Sequence, residues 1–131
     1  MLIPHLHFDG DCKQAIALYE TAFGTKAERV IYSHQYDPSQ PVSDQIAHAV
    51  MKIHGQTVFL NDGFGNKART SDCAVHLIVM FKSKAALLSC YEVLIVDSIT
   101  VDPLEELAYS PLAVLFIDRF GVLWGFMVEK S

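Results

Sequence analysis

Ile3-Pro4-His5-Leu6-His7-Phe8-Asp9-Gly10-Asp11-Cys12, continuing through Ala15-Ile16-Ala17-Leu18-Tyr19 to Phe23-Gly24, decides the fold of this 131-residue chain. From Leu2 to Phe8 the residues alternate, with Leu6 and Phe8 on one face and His5 and His7 on the other, the period-two pattern of a strand. Asp9-Gly10-Asp11 supplies a turn. Ala15, Ile16, Leu18, Tyr19, Ala22 and Phe23 then recur at helical spacing, which predicts a helix with Asp11 as its N-cap and Gly24 as its stop.

Beyond Gly24, a strand is predicted over Glu28 to His34, followed by a polar loop, Gln35 to Asp44, with Pro38 and Pro41. A hairpin follows: Gln45–Ile53, the turn His54-Gly55, then Gln56–Leu60. The run Asn61 to Lys67 collects turn formers and closes a βαβββ half. The order then repeats. A strand over Cys73–Phe81 leads to a helix over Lys84–Leu94, a short strand at Ile99–Val101, and a loop through Asp102-Pro103 and Glu105-Glu106. Leu112–Ile117, the turn Asp118-Arg119-Phe120-Gly121 and Val122–Val128 form the last hairpin. Phe8 before the first helix corresponds to Phe81 before the second, and Gly55 to Gly121, so the chain reads as a tandem βαβββ repeat.

The expected fold class is therefore α+β: one domain, 1–131, of two modules, 1–63 and 73–131, joined by a turn-rich linker and forming a curved mixed sheet around a cavity. The helices should cover the faces carrying Leu6 and Phe8 in one module and Leu77, Val79 and Phe81 in the other. By alternation the opposite faces receive Ile3, His5 and His7, and His76, Ile78 and Met80, placing imidazoles in an apolar cavity.

Composition narrows the function. Ten basic and 15 acidic residues give 10 − 15 = −5, and the basic ones are scattered, which argues against nucleic acid. Only 19% of residues are charged and 51% are apolar, which excludes disorder and hints at a lined pocket or a subunit interface. The apolar stretches Leu112–Ile117 and Val122–Val128 are broken by Asp118 and Arg119, so neither spans a bilayer. Met-Leu-Ile-Pro-His lacks the pattern of a signal peptide, and Cys12, Cys73 and Cys90 form no CxxC pair. A cytoplasmic location with reduced thiols is the expectation.

The opening stretch quoted above resembles the start of the PhnB-like branch of the vicinal oxygen chelate superfamily, the glyoxalase and bleomycin-resistance proteins. Asp118-Arg119-Phe120-Gly121-Val122-Leu123-Trp124 is similar to that branch's closing turn, and His48 with Leu60-Asn61-Asp62 fits its central hairpin. The resemblance covers nearly the whole chain. It implies a metal held at four inward positions, where two oxygens of a substrate chelate it, and a homodimer. Counting from the turn glycines and strand starts puts those positions at Ile3, Phe59, His76 and Gly125, of which only His76 can ligate. A metal site of the usual composition is thus not expected, and the cofactor stays open. The methyltransferase label found in the branch has no support in a glycine-rich strand-to-helix turn.

Candidate pocket residues are His5, His7, His48 and His76. His5 and His7 share a strand face about 7 Å apart and suit either one metal or substrate, or a partly exposed edge strand. His76 lies between Val75 and Leu77 in a strand expected to be central, as a core histidine or as a ligand. His48 sits between small neighbours, while His34 and His54 read as solvated. Glu129 is a weak further metal candidate, and Trp124 and Phe126 should pack outward against a helix or a partner. Three readings follow: a small-molecule-binding protein; a metal-dependent lyase, isomerase or dioxygenase with an altered site built from two or three of those four pocket histidines, with or without Glu129; or a structural dimer whose cavity is vestigial.

Overall fold

In the computed structural model, which describes residues 1–63 and 74–131, the N-terminal period-two segment forms β1 (His5–Phe8) and the periodic stretch after it α1 (Cys12–Phe23). The chain divides into two compact units, Met1–Lys67 and Ala68–Ser131. Cys73 and the linker positions from 64 to 72 lie outside the described residues. The first unit continues with β2 (Arg29–Tyr32), the short α2 (Ser33–Tyr36), β3 (Ile46–Ile53) and β4 (Gln56–Asp62). The second holds β5 (Leu77–Phe81), α3 (Lys84–Leu94), β6 (Ile99–Leu107), β7 (Ser110–Ile117) and β8 (Leu123–Val128).

Each unit is a four-stranded mixed sheet, ordered β1-β4-β3-β2 in the first and β5-β8-β7-β6 in the second. In each, the first strand pairs parallel with the last and the remaining pairs are antiparallel. The repeat read from the sequence is thus a repeat of topology. Phe8 and Phe81, 1% and 4% exposed, each close the first strand of a unit on its helix side. Gly55 and Gly121 each turn a hairpin at positive φ, 79° and 92°, where a side chain would be strained.

The helix-covered faces carry the cores. In the first unit Cys12, Ala15, Ile16 and Tyr19 of α1 meet Phe8, Ala49, Met51, Val58 and Leu60, all buried, with the Tyr19 ring 6.3 Å from Phe8. In the second, Leu87, Cys90 and Leu94 of α3 lie over the face holding Val79, Phe81, Val114, Phe116 and Phe126. Phe116 and Phe126 meet edge to face at 5.1 Å. Burying each such large side chain contributes about 1.5–3 kcal/mol. Trp124 and Phe126 pack on this helix side, as their parity predicts.

Several local expectations change. Asp11 occupies the N-cap of α1, but its side chain makes no capping bond; Asp62, 50 residues away in sequence, accepts the Cys12 N–H at 3.0 Å and the Ile46 N–H at 2.8 Å. Gly24 ends α1 in the left-handed conformation. The loop expected at Asp102 to Glu106 is part of β6, an edge strand that tolerates Pro103 because its outer N–H row has no partner strand to serve. His76 precedes β5, and β5 is itself an edge strand, so the histidine is exposed and not central.

Cys12 and Cys90 are buried, and burial pushes the Cys90 thiol up to about 12. The unfolded chain's thiol ionises near 9.0, before the folded one, so this group's contribution to stability is complete below pH 9 and falls as pH climbs toward 12. Iodoacetamide at pH 8, followed by peptide mapping, is expected to modify Cys90 only as fast as the protein unfolds, and rapidly in urea. Equal rates in both states would contradict the burial.

Candidate functional site

The face of the first sheet opposite α1 gathers three of the candidate histidines. Register sets His5 beside Phe59 and His7 beside Asn61 across the β1–β4 pair, and His48 of β3 shares their side. The His5 and His7 rings lie 4.3 Å apart, tilted by 34°. The Phe59 ring stands edge-on to both neighbours, 6.0 Å from His5 and 4.9 Å from His48. His7 Nδ1 is 2.7 Å from Asn61 Oδ1, an oxygen that only accepts, so Nδ1 is the donor in this contact. A Cβ at Gly63 would come within 2.9 Å of His7 Cβ, so the close approach of the chain to this ring needs glycine there.

The corresponding face of the second sheet, opposite α3, carries His76. A cleft of about 250 Å3 opens on it, floored by Ile78 of β5, Ala113 and Leu115 of β7, and Gly125 and Met127 of β8. The His76 ring rests over Gly125: a Cβ there would lie 3.1 Å from its Cδ2 and 3.3 Å from its Nε2. Glycine on β8 thus makes room for the imidazole. Asp102 and Glu105 of β6, with Tyr109, line the opposite side.

Of the four positions at which the resemblance places metal ligands, Ile3, Phe59, His76 and Gly125, only His76 carries a side-chain donor. Ile3 and Phe59 have no donor atom, Phe59 fills its place with a ring packed between His5 and His48, and Gly125 has no side chain. Among the described residues no three His, Cys, Asp or Glu side chains gather as a metal site. Glu129 is instead paired with Lys82, Nζ to Oε2 3.2 Å, at the surface. His54 is exposed at φ 48° with its ring against Phe23, and His34 is half-buried, stacked on Tyr32 at 5.9 Å and accepting from the Ser43 N–H at 3.4 Å. His34 is therefore less solvated than its loop-like context predicts.

Sequence reasoning missed Asn61 as the partner of His7, and Asp102 and Glu105 as cleft residues. The fixed Asn-Asp-Gly run at positions 61–63 marks a turn equally well, so nothing in it signals a histidine partner. The acidic pair had the charge of a solvated loop.

No family model and no curated protein matches the chain. Solved structures do. The PhnB protein from Bacillus cereus, which carries a 3-demethylubiquinone-9 3-methyltransferase label, superposes with a TM-score of 0.81 at 22% identity, over 97% of this chain and 98% of that one. Protein PA1353 from Pseudomonas aeruginosa gives 0.82 at 22% identity, over 100% and 98%. The fosfomycin resistance protein FosX from Listeria monocytogenes gives 0.67 at 11% identity, over 99% and 93%. With two mixed sheets of identical strand order and these neighbours, the chain has the α+β fold of the glyoxalase and bleomycin-resistance type.

Proposed function

We propose that the protein binds a small organic molecule in the cleft on the open face of its second sheet. The observation that carries this reading is the His76 imidazole seated over Gly125 above an apolar floor. Ile78 and Met80, 53% and 42% exposed, are large apolar side chains left on that side of β5, where water is a poor neighbour and an apolar body a good one. An imidazole beside such a floor donates or accepts one hydrogen bond and so orients what lies there. Binding is preferred over metal-dependent catalysis because three of the four metal positions offer no donor atom. His5, His7 and His48 form a second polar surface, in which the contact with Asn61 fixes how the His7 ring presents itself.

We further propose a homodimer in the cytoplasm. The exposed Val75 and the edge position of β5 support the dimer, and the burial of Cys12 and Cys90 supports the location. No helix among the described residues is long and apolar enough to cross a membrane.

The neutral fluorophore N-phenyl-1-naphthylamine tests the binding reading. It should bind saturably, and His76→Ala should weaken it by up to about tenfold, the loss of one hydrogen bond and one wall. His54→Asn, which keeps a residue tolerant of the left-handed backbone, should leave the affinity within about twofold. Equal effects of the two substitutions, or no saturable binding, would overturn the assignment.

A further inference from the structure

The two carboxylates of the cleft reach it through irregularities of β6. Pairing runs Thr100 with Phe116, Asp102 with Leu115, Glu105 with Ala113 and Leu107 with Ser110, so the register shifts at each step. Between Thr100 and Asp102 the edge strand advances two residues against one on β7, and between Asp102 and Glu105 three against two. In a regular strand, residues three apart point to opposite faces. The extra residue brings both acids to the side of Leu115 and Ala113, which β8 pairs with Gly125 and Met127 on the cleft floor. Pro103, with no N–H to place in a ladder, sits between them.

Charge complementarity then identifies the occupant. Among the described residues, Asp102 and Glu105 take part in no ion pair and no Lys or Arg lines the cleft. Its polar remainder is His76 and Tyr109. Resting on the binding reading above, we propose that this cleft selects an amphipathic organic cation: an apolar body on the floor of Ile78, Leu115 and Met127, and an ammonium or comparable cationic group held by Asp102 and Glu105. Two carboxylates beside a low-dielectric floor attract a cation and repel an anion of the same shape. An organic anion, and a neutral molecule read by His76 alone, are the competing outcomes.

A matched series separates them: 4-phenylbutylammonium, 4-phenylbutanol and 4-phenylbutyrate share one apolar body and differ in charge. Titration of the whole protein at low salt, followed by calorimetry or amide shifts, is expected to give affinities in the order cation, alcohol, anion, with at least about tenfold between the charged pair. Asp102→Asn combined with Glu105→Gln should collapse that difference and leave the alcohol's affinity unchanged. Glu106→Gln, on the same strand but absent from the cleft lining, removes a charge without removing a cleft carboxylate and should keep the order. Equal binding of all three compounds, or an order that survives the double substitution, overturns cation selection and leaves the pocket standing. Failure of all three together with N-phenyl-1-naphthylamine overturns the pocket itself.

Discussion

Replacing Asp118 by alanine is expected to cost about 4 kcal/mol of stability. The side chain is fully buried at the turn between β7 and β8. Its Oδ1 accepts the Phe120 and Val122 N–H groups at 2.9 and 3.0 Å, and its Oδ2 accepts the Trp124 indole N–H at 2.9 Å. Alanine would strand those donors, each costing about 1–3 kcal/mol where water cannot reach it. Asparagine keeps one acceptor but turns an NH2 toward a donor, so about half the loss should remain. Trp124→Phe removes the indole donor, and the double variant Asp118→Ala, Trp124→Phe should lose about 1–2 kcal/mol less than the sum of the singles. Urea unfolding of the four proteins at neutral pH measures the cycle. A loss under about 1 kcal/mol for Asp118→Ala would mean that water, not the carboxylate, serves this turn. The consequence reaches the cleft, because this turn sets the β7–β8 register that pairs Leu115 with Gly125.

How much of this could be read from the chain follows from the range of the forces. Alternation at Leu6 and Phe8, helical spacing from Ala15 to Phe23, and the turn glycines Gly55 and Gly121 are local signals, and each names its element correctly. Parity within a strand is also local, so His5 and His7 do share a face, and Trp124 and Phe126 do lie on the helix side. What needs a partner far along the chain was not legible. Asp11 looks like the cap of α1, yet the bond comes from Asp62, which the β4 register delivers to the same end. Asp102 and Glu105 are exposed, as their charge suggests, but a bulge has no composition of its own; only pairing with β7 shows that an extra residue turns both toward one side. His76 was expected in a central strand because apolar neighbours flank it, while in fact Val75 is exposed and the histidine stands at an edge.

Gly125, on the cleft floor beneath His76, should decide binding. Gly125→Val is expected to abolish measurable binding of N-phenyl-1-naphthylamine and 4-phenylbutylammonium, a loss of more than about tenfold, while stability stays within about 1 kcal/mol of the original. Three effects set that balance. Gly125 lies in the middle of β8 without the positive φ that would exclude a side chain, and a β-branched residue suits a strand better than glycine does. Against this, the new Cβ would meet the His76 ring at 3.1 Å and Ile78 Cγ1 at 3.4 Å. The closer contact is with an exposed side chain that can swing aside, so relief is cheap and the fold survives. The cleft does not survive it, because the added methyls occupy the floor and the displaced imidazole leaves the wall. Gly125→Ala should fall between, with a weakening of about threefold. Thermal unfolding beside fluorescence titration separates the two readouts. Binding that persists in a well-folded Gly125→Val protein would move the ligand site off this face, and the histidines on the first sheet, His5, His7 and His48, would become the place to look.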